Sequence, residues 1–185
     1  MVIPLSGVIS GSRFFVSINR LLETKMNKIF FFIILLLFPV VLLSGKNDIQ
    51  GKVVKVADGD TITILDSENK QIKIRLYGID APEKAQDFGK ISRNYLSELV
   101  AGKTIDVTVM NIDRYVRSVG RIKIDDKEVA EEMLKAGLAW VYTYYCKIPE
   151  CEYWKELETQ AKTAKIGLWS NPTAQAPWLW RKEHK

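Results

Sequence analysis

The sequence predicts an α+β fold that is mainly β. Five short segments alternate apolar and polar side chains, as strands do when only one face is buried. One stretch with helical spacing of apolar residues lies between the third and fourth segments, and two more follow the fifth. This order favours a five-stranded OB-type barrel with three helices packed around it.

The predicted strands are short and separated by turn residues. Residues 50–56 alternate weakly, with Val54 and Val56 as the expected core positions, and the later segments alternate more cleanly. Asp58-Gly59 has the composition of a turn between the first two strands. The predicted strands are 50–56, 61–65, 72–76, 104–109 and 119–124.

The three predicted helices begin and end at recognisable residues. The first runs from Pro82 to Leu99, where the apolar spacing becomes helical. Asp126 is the expected N-cap of the second helix, which ends near Gly137. Pro149 opens the third helix, and Gly167 closes it. The expected apolar face of that helix consists of Trp154, Leu157, Ala161 and Ala164.

The chain is long enough for one domain with a sizeable core, and its composition divides it into three parts. Residues 1–45 form a predicted leader, residues 46–170 the folded domain, and residues 171–185 a tail interrupted by prolines. We expect no regular structure in the tail. It should nevertheless dock on the domain, because exposing Trp178 and Trp180 would be costly.

A signal peptide is predicted to begin at Met26. A short basic start precedes an apolar run of fifteen residues, Ile29–Leu43, which has the length of a signal-peptide core and is short for a membrane-spanning helix. Ser44-Gly45 offers small residues for cleavage, and an uncleaved anchor is the alternative. We therefore expect an exported protein (secreted, periplasmic or on the cell surface) that meets a membrane only through its leader.

The charge of the folded part gives no argument for binding a polyanion. The whole chain has a formal charge of +5, but four of its 27 basic side chains and only one of its 22 acidic ones precede residue 46. The rest of the chain therefore carries a charge of about +2. Nucleic-acid binding has to be argued from the local placement of residues instead.

The two cysteines, Cys146 and Cys151, are separated by four residues. An even number of cysteines in an exported protein is typical of a disulfide, and free thiols are the alternative if the chain is not exported. A metal pair would need further cysteine or histidine ligands, and the only histidine is His184 in the tail. A catalytic thiol would need a histidine base, and none is well placed.

Two short motifs carry the side chains best suited to chemistry. Asp58-Gly59-Asp60-Thr61 and the segment Arg75–Glu83 lie at the borders of predicted strands, so we expect their acidic groups to converge at one end of the sheet. Crowded carboxylates raise one another's pKa unless a cation compensates them. A hard divalent ion that prefers oxygen ligands is the natural compensation.

Each of these residues also has a plainer interpretation. Asp-Gly-Asp is common in hairpin turns, and an acid just after Pro82 suits a helix N-terminus. Arg75 fits an outward strand position, and Arg117 fits a loop charge paired with Asp113. Considered together, the residues favour a functional site over separate structural roles.

Six motifs in one order resemble the staphylococcal nuclease (thermonuclease) family, over about Gly51 to Trp169. They are Asp58–Thr61, Arg75–Glu83, Phe88-Gly89, Asp113–Arg117, Gly137–Trp140 and Gly167–Trp169. The tail segment Pro177–Arg181 also resembles that of exported bacterial members.

The resemblance implies a calcium ion held by the carboxylates of Asp60 and Asp80 and by the main-chain carbonyl of Ala81. Some members carry threonine where this chain has Ala81, but a main-chain ligand tolerates that change. Tyr115 and Tyr145 match positions that contact the nucleotide, although plain packing and turn roles remain an alternative for these tyrosines.

The resemblance also implies the catalytic groups. Glu83 matches the proposed general base, and Arg75 and Arg117 match two arginines that grip the scissile phosphate. This chain departs from the family at Val116, where members usually have glycine, and at Thr143, where members have a tyrosine. If that glycine adopts a positive φ, a β-branched residue would be strained there, and Val116 would then displace Arg117 and lower activity without removing it.

The resulting prediction is a calcium-dependent nuclease that hydrolyses DNA and RNA with little sequence preference and leaves 3′-phosphate ends. We expect a monomer with no obligate protein partner. The first alternative is a catalytically weak or inactive OB-type module that binds nucleic acid. Such a module should have lost some of the five site side chains, and this chain keeps all of them: Asp60, Arg75, Asp80, Glu83 and Arg117. The second is a membrane-anchored surface protein whose domain is only a scaffold.

Overall fold

The computed structural model describes residues 48–184, and their strands form a closed barrel. The strands are β1 (Asp48–Val56), β2 (Thr61–Leu65), β3 (Gln71–Leu76), β4 (Ile79–Asp80), β5 (Thr104–Ile112), β6 (Ser118–Ile124), β7 (Lys127–Glu128) and β8 (Trp140–Val141). Five of them follow the order β3-β2-β1-β5-β6 with antiparallel pairing, and a parallel β3–β6 pairing closes the sheet. The predicted mainly β, five-stranded barrel is confirmed.

Within residues 48–184, four α-helices accompany the barrel, one more than the sequence predicts. They are α1 (Gly89–Val100), α2 (Val129–Lys135), α3 (Glu150–Thr163) and α4 (Pro177–Glu183), and a 3₁₀ turn covers Gly167–Ser170. The core lies inside the barrel and under α1, α2 and α3. Its largest fully buried side chains include Ile62, Ile64, Ile74, Leu96, Ile122, Met133, Leu134 and Trp154.

The predicted core position at Val54 is wrong, whereas Val56 is buried. A bulge interrupts the β1–β2 register between Val53 and Lys55. It places Val53 in the core and leaves Val54 46% exposed. Because an extra residue in one strand shifts the alternation of faces, weak alternation was the sign of this bulge in the sequence.

Two predicted helix boundaries are also wrong. Residues 82–88 are not helical: turns and a bend cover 84–88, and α1 begins only at Gly89, after Phe88 at a φ of +65°. Asp126 is not the cap of α2. It lies at a φ of +62° in the turn between β6 and β7, and Glu128 occupies the N-cap position.

The end of the third predicted helix and the tail differ from expectation as well. α3 ends at Thr163, so Ala164 lies outside the helix and is exposed. The tail contains α4, with Pro177 at its first turn, where a missing N–H costs nothing. The ring of Trp178 stacks on Tyr142 with centroids 5.2 Å apart, so the tail packs against the domain.

No helix within residues 48–184 combines the length and apolar character that crossing a membrane requires. The predicted leader and its cleavage site lie outside the described residues.

Candidate active site

The candidate site lies at one end of the barrel, where β2 begins and β3 ends. Asp60 immediately precedes β2, and Arg75 of β3 is the ladder partner of Thr61. The N–H of Leu76 donates to the carbonyl of Asp60 (2.8 Å), which fixes the turn against β3. The chain then turns through Gly78 at a φ of +73°, a conformation that favours glycine.

Arg75 joins two buried aspartates. Its Nη1 donates to Asp60 Oδ1 and its Nη2 to Asp80 Oδ1, each at 2.7 Å. Asp60 is 3% exposed and Asp80 is 0% exposed. The other oxygen of Asp60 accepts the backbone N–H of Ala81 (2.9 Å), which holds the predicted ligands together. Such buried charges are stable only because they are paired and hydrogen-bonded.

The carboxylates of the site influence one another's ionisation. Burial, together with repulsion from Asp60, raises the pKa of the Asp58 carboxyl to about 7. Burial also raises the pKa of Asp80, although the hydrogen bond from Arg181 opposes it. Burial alone would lower the pKa of Arg75, but the two aspartates beside it raise that pKa instead. The site is therefore a dense cluster of opposed charges.

Glu83 lies beside this cluster, in the turns that precede α1. Its carboxylate oxygen Oε1 accepts a hydrogen bond from Arg181 Nη1 (2.7 Å). The Nη2 of Arg181 donates to Asp80 Oδ2 (2.8 Å). An arginine from α4, for which the sequence predicts no role, thus binds both the predicted general base and a predicted metal ligand.

Arg117 reaches the site from the hairpin between β5 and β6. Its Nε donates to Asp113 Oδ2 (2.7 Å), and its Nη1 lies 3.5 Å from the hydroxyl of Thr61. Val116, just before it, has a φ of +60° and is 84% exposed. The condition for strain at Val116 is therefore met, and the Asp113 ion pair nevertheless holds Arg117 at the cleft.

A cleft of about 630 Å³ connects these groups. Both tyrosines predicted to contact substrate, Tyr115 and Tyr145, line it and are exposed. The guanidinium of Arg117 lies 5.4 Å from the ring centroid of Tyr115. Tyr142, which also lines the cleft, is the ring on which Trp178 stacks. The predicted catalytic side chains and the aromatic rings therefore face one space.

The donor chemistry at this end of the barrel suits a hard divalent cation. The carboxylates of Asp60 and Asp80 and the carbonyl of Ala81 are oxygen ligands of the kind that calcium accepts. Within the described part of the chain, no three acidic, histidine or cysteine side chains surround a common ion position. The aspartates are instead engaged by Arg75 and Arg181.

The sequence model described as "Staphylococcal nuclease homologue" matches residues 73–171, which is more than half of the chain. This chain belongs to the staphylococcal nuclease homologue family. Membership confirms the predicted resemblance and identifies the chain as a hydrolase of the nuclease type.

Several relatives carry names that agree with this family. An uncharacterized endonuclease of Escherichia coli O157:H7 is 46% identical over 72% of this chain and 86% of its own length. A micrococcal nuclease of Shigella flexneri is 38% identical over 75% of this chain and 83% of its own. An uncharacterized endonuclease of Haemophilus influenzae is 37% identical over 82% of this chain and 84% of its own length.

The part of the chain that matches the staphylococcal nuclease family model includes Arg75, Asp80, Glu83 and Arg117, but it ends before Arg181. Sequence reasoning missed Arg181 for a physical reason. A helix of only seven residues that begins at a proline gives almost no periodic signal. The sequence therefore does not indicate which of its side chains faces the site. The pair of tryptophans in the tail did predict that the tail packs against the domain, but it did not predict how the helix is oriented there.

The disulfide and Asp58 complete the surroundings of the site. The structure joins Cys146 and Cys151 by a disulfide, with Cα atoms 5.8 Å apart. This link follows Tyr145 directly, at the start of the connection to α3. The carboxylate of Asp58 accepts the N–H of Asp60 (3.1 Å), which stabilises the turn before β2.

Proposed function

We propose that this chain is a calcium-dependent nuclease that hydrolyses phosphodiester bonds in DNA and RNA with little sequence preference, leaving 3′-phosphate ends. One observation carries the proposal. Arg75, Arg117 and Glu83 line the same cleft as Asp60 and Ala81. Two guanidinium groups, a carboxylate beside them and hard oxygen ligands are the groups that phosphodiester hydrolysis needs.

The arginines would bind the scissile phosphate. Negative charge grows on its non-bridging oxygens as water adds to phosphorus, and a planar guanidinium donates to two such oxygens at once. Arg75 is held rigidly by Asp60 and Asp80, and Arg117 by Asp113, so both cations are oriented before substrate arrives. Fixed donors of this kind stabilise developing charge without reorganising during the reaction.

Glu83 would orient the attacking water and accept its proton. The new bond joins the water oxygen to phosphorus, the bond from phosphorus to O5′ breaks, and O5′ takes up a proton from solvent while Glu83 later returns its proton to solvent. A bound calcium ion, held by Asp60, Asp80 and Ala81, would supply further positive charge next to the phosphate.

The exposed rings support weak discrimination between bases. Tyr115 and Tyr145 offer flat apolar faces at the rim of the cleft, and every base has a face that stacks on such rings. Stacking of this kind requires bases that are not already paired. We therefore propose single-stranded or frayed nucleic acid as the preferred substrate.

Digestion of plasmid DNA and of RNA tests the reaction. With calcium, the purified protein should degrade both substrates, and excess chelator should stop it. Arg75→Ala is expected to lower the rate about 10²- to 10³-fold, because one oriented phosphate donor is lost. Glu83→Gln should lower it about 10²-fold or more through loss of the base. Undiminished activity in chelator would exclude the calcium mechanism.

Controls separate these effects from a general change of charge. Glu68→Gln makes the same change in the exposed β2–β3 turn, and Lys123→Ala removes a positive charge on the exposed face of β6. Both should retain full activity. Binding of nucleic acid without cleavage by the unmodified protein would favour a binding module instead. Products with free 5′-hydroxyl groups, which accept label from a polynucleotide kinase directly, are expected from 3′-phosphate chemistry.

We also propose that the protein is exported by the predicted leader. The disulfide between Cys146 and Cys151 supports an oxidising compartment, since such bonds rarely persist in the cytosol. Sequencing the amino terminus of the mature protein tests this proposal. A terminus near Gly45 indicates cleavage, whereas retention of residues 29–43 indicates an anchor.

A further inference from the structure

Arg181 contacts the two carboxylates on which the proposed chemistry depends. Its Nη2 donates to Asp80 Oδ2 (2.8 Å), and its Nη1 donates to Glu83 Oε1 (2.7 Å) and to Asp80 Oδ1 (3.2 Å). One guanidinium therefore spans a predicted metal ligand and the predicted base. Charge-assisted, two-pronged contacts of this kind are among the stronger hydrogen bonds in proteins.

The position of Arg181 is imposed by the packing of α4. Trp178, three residues earlier on the same helix, stacks on Tyr142, and Ala176 and Pro177 are buried at the start of the helix. This docking turns Arg181 toward the cleft. Lys182, the next residue of α4, is exposed. The contact is therefore a property of the docked helix and not of a free tail.

Asp80 accepts hydrogen bonds from two arginines. Its Oδ1 accepts from Arg75 (2.7 Å) and more weakly from Arg181 (3.2 Å), its Oδ2 accepts from Arg181 (2.8 Å), and the side chain is fully buried. Arg75 belongs to a barrel strand and is largely buried, whereas the Arg181 side chain is 36% exposed. Of the two guanidinium groups, Arg181 is thus the one that can leave Asp80 by a change of rotamer, without any movement of the sheet.

We propose that Arg181 is a positioning residue that sets the affinity of the site for calcium by competing for Asp80 Oδ2, while its hydrogen bond to Glu83 Oε1 holds it in place. This inference rests on the proposed function, in which Asp80 is a ligand. A guanidinium and a calcium ion repel each other and cannot both occupy contact positions on the same oxygen atoms. A calcium ion that took Asp80 Oδ2 would therefore displace Arg181 toward the cleft, where the substrate phosphate would bind.

The competition has two opposite consequences that can be measured. Replacing Arg181 by a neutral side chain frees the oxygens and adds net negative charge to the site, so calcium should bind more tightly. Without calcium, the same replacement leaves Asp80 and Glu83 short of a cation, so the protein should be less stable. A residue with a merely structural role would weaken both calcium binding and stability.

Calorimetric titration of the purified protein with calcium chloride tests this inference. We expect the dissociation constant of Arg181→Gln to fall about tenfold, since an ion competing through charged hydrogen bonds has been removed. The matched control, Lys182→Gln, makes the same charge change on the same helix and should bind calcium as the unmodified protein does. In chelator, Arg181→Gln should unfold at a lower temperature than Lys182→Gln. Added calcium should reduce this difference in unfolding temperature between the two variants.

Arg181→Lys provides a second variant that keeps the charge and serves if the glutamine variant fails to fold. A lysine cannot span both carboxylates with a planar fork, so its calcium affinity should lie between those of the unmodified protein and Arg181→Gln. Calcium affinity that is unchanged or weaker in both variants overturns the inference while leaving the proposed function intact. Absence of calcium binding to the unmodified protein overturns both.

Discussion

Val116 is the β-branched residue that the described part of the chain places at a positive φ. It has a φ of +60°, where a β-branched side chain is crowded, and it makes little compensating contact because it is 84% exposed. Val116→Gly is therefore expected to stabilise the protein by about 1 kcal/mol, measured by chemical denaturation. The free energy of unfolding of Val116→Ala, which keeps a Cβ but loses the branch, should lie between those of the unmodified protein and Val116→Gly.

The rate of nucleic-acid digestion should change by no more than about twofold in Val116→Gly, because the substitution removes no side chain that would contact the phosphate. Asp113 also holds Arg117 through its side chain, and the backbone hydrogen bond from Asp113 to Arg117 (3.0 Å) closes the same hairpin. A large gain in activity would mean that Val116 displaces Arg117 after all. Equal stability of the valine and glycine proteins would argue against strain at this position.

At the same scale, the sequence was informative where function depends on short local motifs. Asp60, Arg75 and Asp80 lie beside strand borders, and alternation along β2 and β3 was clear enough to bring them together. The role of Arg181 could not be predicted, because Arg181 lies 98 residues beyond Glu83 in the sequence, on a short helix without a periodic signal. Its partner could be identified only from the docked position of that helix.

The disulfide acts at the scale of the connection between β8 and α3. It closes a loop with a sequence separation of five residues, beside Tyr145 at the rim of the cleft. Reduction should lower the free energy of unfolding by about 2 kcal/mol, as expected for so short a loop. It should also raise the KM for nucleic acid, because the segment that carries Tyr145 gains freedom.

Denaturation with and without reducing agent measures the first effect, and initial rates over a range of substrate concentrations measure the second. The double variant Cys146→Ser, Cys151→Ser is the control. Its stability and KM should match those of the reduced protein and should not change when reducing agent is added. An unchanged unfolding midpoint on reduction would show that the link contributes no stability.

Elements were predictable from the sequence to the extent that their periodicity was regular. The clean alternation of β2 and β3 gave correct strands, whereas the bulge at Val54 and the turns before Gly89 interrupt the pattern for reasons of tertiary structure. Those turns place Glu83 next to the cleft, and the backbone of Gly89 packs so close to the carbonyl of Glu83 that a Cβ would collide with it. A continuous helix from Pro82 could not provide this arrangement.

On the scale of the whole molecule, the site draws on distant parts of the chain that only the folded barrel unites. The parallel pairing of β3 with β6 sets Arg75 beside Val119, two residues after Arg117. The docked tail adds Arg181. Binding at this site is consequently coupled to the stability of the whole domain, because the unfolded chain does not gather these groups.

Calcium should therefore raise the thermal unfolding temperature of the protein. At a free concentration about 100 times the dissociation constant, the added stability is about 2.7 kcal/mol, which corresponds to roughly 10 °C for a domain of this size. Scanning calorimetry with calcium or with chelator measures the shift. Asp60→Asn should abolish most of it, since a buried charged ligand is lost, whereas Asp126→Asn, in the exposed turn after β6, should keep it in full. An equal shift in both variants would place the ion elsewhere on the protein, and no shift in the unmodified protein would remove calcium from the mechanism.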